Sequence, residues 1–156
     1  MPDQTPLGSP PVLLLAAFYD AFPDQSIEWV IRAPGRDMWI AAARSGDDRF
    51  TIAAPAQDGR VSFNLQSAKL KQTVMKRPLP RWARYPAGVT LLLARDGLDV
   101  VGLNLVFMGD EPPGPRFDYA VGISFAALWH ELYDLAFTID QLIDIVDRAR
   151  REYVGE

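Results

Sequence analysis

Apolar positions along this chain change their period several times, and each change marks an element. Between residues 12 and 22, Leu14, Ala17, Phe18, Ala21 and Phe22 recur at helical spacing and predict a short amphipathic helix ending near Pro23. Residues 27–33 alternate and are rich in Trp, Val and Ile, which reads as a strand, and Pro34-Gly35 then signals a turn. Three further strands are predicted over 38–43, 50–54 and 61–65. Ser45-Gly46-Asp47-Asp48 and Asp58-Gly59 separate them and suit hairpin turns. Residues 69–80, with Lys69, Lys71, Lys76, Arg77 and two prolines, read as a solvated surface linker. From 82 to 95, Trp82, Tyr85, Val89, Leu92 and Leu93 share one helical face, with Pro86 read as lying in the first turn. Residues 100–108 form an apolar strand, 109–119 a loop with three Pro and two Gly, and 120–135 a buried helix. Over 138–153, Thr138 and Gln141 make a capping-box pattern, and Ile139, Leu142, Ile143, Val146, Ala149 and Tyr153 keep the 3.6 period.

That order predicts an α+β fold: a mainly antiparallel sheet backed by helices on one face. The Pro-rich, polar residues 1–11 read as a flexible tail, and 12–156 as one domain with no internal repeat. Within 156 residues, 49% hydrophobic content suits a folded core rather than disorder. Net charge is -4, so no nucleic-acid partner is expected. The absence of Cys excludes disulfides, thiolate zinc sites, iron–sulfur ligation and cysteine nucleophiles. The single histidine, His130, excludes multi-histidine metal sites and reads as a packing residue in an apolar helix. No run approaches the ~20 apolar residues that cross a bilayer. No basic residue precedes Arg32, as an export leader would require, so no membrane partner and a cytoplasmic location are expected.

What remains is chemistry carried by carboxylates, backbone amides, Arg and Lys. Arg36 follows the Pro34-Gly35 turn, where it reads either as a surface turn residue or as an anion ligand. Asp110-Glu111 could bind Mg2+ or solvate a loop. Trp29, Trp39, Trp82 and Trp129 read as core or interface. Asp144, Asp147, Arg148, Arg150, Arg151 and Glu152 read as the wet face of the last helix.

Several local words occur in a familiar order. Phe18-Tyr19-Asp20-Ala21-Phe22 precedes Arg32-Ala33-Pro34-Gly35-Arg36; Arg36-Asp37-Met38-Trp39-Ile40-Ala41-Ala42 follows. Trp82-Ala83-Arg84-Tyr85 with Gly88-Val89, Gly102, Gly109-Asp110 and Pro112-x-Gly114 come next, then Arg148-Ala149 and Glu152-Tyr153-Val154-Gly155. In this order the chain resembles the N-terminal domain of galactokinase, in the GHMP superfamily of small-molecule kinases. The resemblance implies the ribosomal protein S5 domain 2-like fold, ATP and Mg2+ as cofactors, and phosphorylation of galactose at its anomeric hydroxyl. It assigns Pro112, Gly114, Arg116, Gly122 and Ser124 to the cofactor-binding loop and leaves Arg36 as the residual catalytic or sugar-binding candidate.

Departures from the family pattern bear on activity. The sugar-binding block "VNLIGEHTDY" that follows "RAPGR" in the family has no counterpart after Arg36. The family's glycine- and serine-rich phosphate loop is replaced by residues 112–122, in which Pro113 and Pro115 lack N–H donors and Asp118 adds a negative charge. The family's catalytic Asp would fall beyond Glu156. The chain is therefore expected to be inactive by itself and at most a weak nucleotide or sugar binder. The alternatives are a non-catalytic homodimerising or protein-binding module, and a half-enzyme completed by a second chain.

Overall fold

The computed structural model describes residues 12–55 and 59–155. The expected tail over 1–11 and Asp58 of the Asp58-Gly59 turn lie outside the described residues. Sheet formation starts from two strands with no polar face. In β2 (Met38–Arg44), Met38, Ile40 and Ala42 join one apolar cluster, whereas Trp39, Ala41 and Ala43 join another on the opposite face. β5 (Leu103–Gly109) divides the same way, with Leu105 and Phe107 on the first face and Val106 on the second. Strands buried on both faces lie at the centre of a covered sheet. The order is β1-β2-β5-β3-β4, completed by β1 (Trp29–Arg32), β3 (Phe50–Ala54) and β4 (Gly59–Phe63). β3 and β5 run parallel; every other pairing is antiparallel.

The first face is covered by α3 (Arg81–Arg95), α4 (Pro115–Leu132) and α5 (Ile139–Ala149), and the expectation that helices cover only one face is corrected by the first helix. α1 (Val12–Ala21) places Leu14 and Phe18, with Phe22 just beyond it, against Trp39, Ala41, Ala43 and Val106. The second apolar face of β2 and β5 requires that cover. Trp39, Trp82 and Trp129 are buried and Trp29 packs at the edge, so all four serve packing. Trp129 Nε1 donates to the buried Thr90 hydroxyl at 3.2 Å, joining α4 to α3.

Other differences are local. The strand expected over 61–65 ends at Phe63, because Asn64 caps α2 (Leu65–Lys69): its Oδ1 accepts from Ser67 N at 2.8 Å, and Ser67 Oγ accepts from Asn64 N at 3.1 Å. The linker over 69–80 thus begins inside a helix and continues as a hydrogen-bonded hairpin. Pro86 sits in the second turn of α3, not the first, since the helix starts at Arg81. The loop expected to run to 119 ends at Gly114. Pro115 opens α4, where its fixed φ is preorganised and its missing N–H removes no helical bond. The Thr138–Gln141 capping box forms as read, but α5 closes at Ala149 and gives way to a π-helical turn, Arg150–Val154. That turn brings Tyr153 onto Gly88 of α3, where a Cβ would come within 2.9 Å of its ring, and its hydroxyl donates to Ala68 O. Among the described residues no helix is long and apolar enough to cross a membrane.

Candidate functional site

The β1–β2 turn and the β5–α4 loop meet at one end of the sheet. Gly109 opposes Met38 in the ladder, and a Cβ on Gly109 would lie 2.0 Å from Asp37 O, so only glycine permits this approach. Beyond it, Asp110 N donates to Asp37 O at 3.0 Å, and Asp37 N donates to Glu111 Oε2 at 2.9 Å. The Pro34-Gly35 turn is thereby clamped onto the loop that leads into α4.

Four of the predicted site residues gather here: Arg36, Pro112, Gly114 and Arg116. Arg36 is a turn residue whose N–H donates to Ala33 O at 3.1 Å. Its guanidinium lies 5.1 Å from the Tyr119 ring centroid. The Tyr119 hydroxyl makes a long hydrogen bond, 3.5 Å, to Asp147 Oδ1, and Arg150 pairs with the same oxygen at 3.6 Å. Burial raises the Tyr119 phenol above its usual pKa, and Asp147 pushes it the same way. Arg36 is thus held by an aromatic face backed by α5.

Gly114 caps α4 at φ 106° and ψ -151°, a conformation open to glycine and strained for any other residue. It offers no side-chain oxygen to the helix start, and Pro115 offers no N–H. In the first turn, Asp118 is buried, and its Oδ2 accepts from Arg81 Nε at 3.1 Å. Burial raises the Asp118 pKa above the ordinary carboxylate value, and Arg81 opposes that shift. Glu111 is also withdrawn from solvent: its side chain is 7% exposed, and its Oε1 has no hydrogen-bond donor. Arg116, 72% exposed, holds Nη2 just inside ion-pair range of that oxygen at 3.9 Å.

Gly122 and Ser124 do not join this cluster. Both lie deeper in α4: Gly122 is packed against Val146 and Tyr85, and Ser124 Oγ donates to Val121 O at 2.8 Å in the interior. His130 bonds Ala126 O through Nδ1 at 2.8 Å and packs on Phe137, as a packing residue should. Glu111 turns onto the β1–β2 turn, and no group of three metal-ligating side chains forms among the described residues. Arg81, Tyr119 and Asp147 were missed as members of the cluster. Arg81 sits 37 residues from Asp118, and Tyr119 lies 28 from Asp147, so no local spacing announces either contact.

Chemically, the cluster mixes acids with cations, and Glu111, Asp118 and Asp147 are already engaged by the chain itself. A phosphate cradle needs the reverse: free N–H groups and an unopposed positive field at a helix N-terminus.

No family model and no curated protein sequence matches the chain. Solved structures do. The galactokinase of Lactococcus lactis, solved with galactose, matches 92% of this chain and 42% of its own, at 15% identity and a TM-score of 0.67. The mevalonate kinase of Methanococcus jannaschii matches 73% of this chain and 37% of its own, at 10% identity and a TM-score of 0.54. The chain spans about two fifths of the length of these kinases. It has the α+β fold of the GHMP kinase N-terminal domain, with a five-stranded, mostly antiparallel sheet.

Proposed function

We propose that this chain is a galactokinase-like domain whose phosphate loop has become self-neutralised, so that it does not transfer a phosphoryl group by itself and is at most a weak nucleotide or sugar binder. The carrying observation is Asp118, buried in the first turn of α4 on Arg81. An incoming phosphate would meet that carboxylate with an adverse interaction of about 1–4 kcal/mol at ~4 Å. Pro115 withholds a donor, and Glu111 holds Arg116 in its field. The residues present therefore do not fit Mg2+–ATP, and no reaction step is drawn through it. Arg36, stacked on Tyr119, keeps a cation at the turn where the family places sugar contacts.

The likeness to a galactokinase solved with galactose supports testing that sugar first. A second reading, a non-catalytic homodimerising or protein-binding module, accords with the exposed apolar side chains of Val12 and Leu13 on α1. A cytoplasmic location accords with the cysteine-free sequence. Calorimetric titration with Mg2+–ATP, with and without galactose, tests the main reading. No saturable heat at millimolar nucleotide is expected. Tight binding, or turnover of galactose above background, would overturn it.

A further inference from the structure

Positive charge is segregated along this chain. Between Gly59 and Arg95 there are eight Lys and Arg residues and no Asp or Glu, although the whole chain is net -4. Four of the eight, Lys69, Lys71, Lys76 and Arg77, surround a hairpin between α2 and α3. It is a built structure. Gln72 bridges Pro78, Thr73 N donates to Arg77 O at 2.8 Å, and Leu79 N donates to Lys71 O at 2.9 Å. Thr73 Oγ1 accepts from the N–H groups of Met75 and Arg77, each at 3.2 Å. Val74 N donates to Ser62 O at 2.9 Å, which ties the hairpin to β4.

Two lysines occupy backbone positions that glycine or asparagine would hold at lower cost: Lys71 at φ 57° and Lys76 at φ 66°. On this rigid frame Met75 is 77% exposed and Leu70 is 70% exposed. Lys71 lies over the Tyr153 ring at 5.4 Å. Lys69, Lys76 and Arg77 meet no carboxylate within ion-pair range among the described residues.

We propose that residues 69–79 dock on an anionic lipid surface, with Met75 and Leu70 entering the boundary between headgroups and acyl chains while Lys69, Lys76 and Arg77 meet the headgroups. A soluble polyanion would satisfy the cations but leave two aliphatic side chains in water. A single-stranded nucleic acid would favour aromatic stacking, and residues 69–79 contain no aromatic. A bilayer interface takes both kinds of side chain at once. The expectation of no membrane partner rested on the lack of a spanning segment and of a basic residue before Arg32, and neither bears on docking at a bilayer surface. Net charge averages over a field that salt screens within ~8 Å, so the local excess governs docking.

Sedimentation of the purified chain with phosphatidylcholine vesicles, with and without phosphatidylserine, tests this. Binding is expected only where phosphatidylserine is present, falling more than tenfold between about 0.1 M and 1 M salt. Lys76→Glu with Arg77→Glu should weaken it by about tenfold or more. Met75→Ser with Leu70→Ser should weaken it several-fold while every charge is kept. All four side chains are exposed, and the salt series on the unaltered chain needs no variant. Absence of binding, or equal binding to neutral vesicles, overturns the proposal. So does full competition by polyglutamate with no loss in the Met75–Leu70 variant, which would point to an acidic protein partner.

Discussion

Asp118 combines a buried carboxylate, a helix N-terminus and the half-exposed Arg81. Its pKa is raised from 3.8, burial being the largest cause. An acid of that kind binds its proton more tightly in the folded chain, so its charge costs stability above the titration window and nothing below the unfolded value. Asp118→Asn should therefore stabilise the fold near neutral pH by up to about 1 kcal/mol, modest because Arg81 is partly solvated. That gain should vanish as pH falls through 3.8, as urea titrations across pH will show. Tyr153 carries a test of the same sign at the alkaline end. Burial pushes its phenol up to about 12, so stability should fall as pH rises from 10 toward that value. Tyr153→Phe should flatten this slope, at the cost of the hydrogen bond to Ala68 O, worth about 1 kcal/mol at pH 8. Urea midpoints at pH 8 and pH 11 separate the two effects.

At the scale of elements, α5 shows how far local chemistry determines structure. Thr138 Oγ1 accepts from Gln141 N at 3.2 Å, and Gln141 Oε1 accepts from Thr138 N at 2.8 Å, as the spacing of the two residues predicts. Thr138→Ala should cost about 1 kcal/mol, read from a shifted urea midpoint with an unchanged slope. The start of α4 shows the limit of the same reasoning. Three prolines and two glycines read as loop through 119, yet Pro115 is compatible with a first helical position, and Gly114 supplies the turn before it. Residues 69–80 teach the same lesson. Their prolines and charges suggest a linker, but hydrogen bonds from Thr73 and a bridge to Pro78 close them into a hairpin that no periodicity reveals.

For the whole molecule, apolar surface is left on more than one element. Val12 and Leu13 on α1 are 78% and 71% exposed, and Ile139 on α5 is 53% exposed. Exposed apolar surface of this kind favours association, and a two-fold dimer is the simplest closed arrangement. Sedimentation velocity of the purified chain at micromolar concentration should show a dimer. A monomer under those conditions would remove the homodimer reading while leaving the kinase-like fold untouched.

Much of this protein was determined by local pattern alone. The alternation in β1 and β3, the uninterrupted apolar run of β2, the amphipathic period of α5 and the order of elements apart from α2 all follow from short-range residue spacing, and with them the α+β class. The likeness of Arg32-Ala33-Pro34-Gly35-Arg36 and Trp82-Ala83-Arg84-Tyr85 to galactokinase pointed to the fold that the solved structures share. Long-range packing decided the rest. Asp118 meets Arg81, and Tyr119 meets Asp147, only when α3, α4 and α5 converge on the sheet. α1 was assigned to the second sheet face by side chains of β2 and β5, whose two-sided burial depends on where β5 inserts. Residues far apart in the chain have no spacing to read; which acid meets which cation, and which face needs cover, emerges only once the sheet order brings them together.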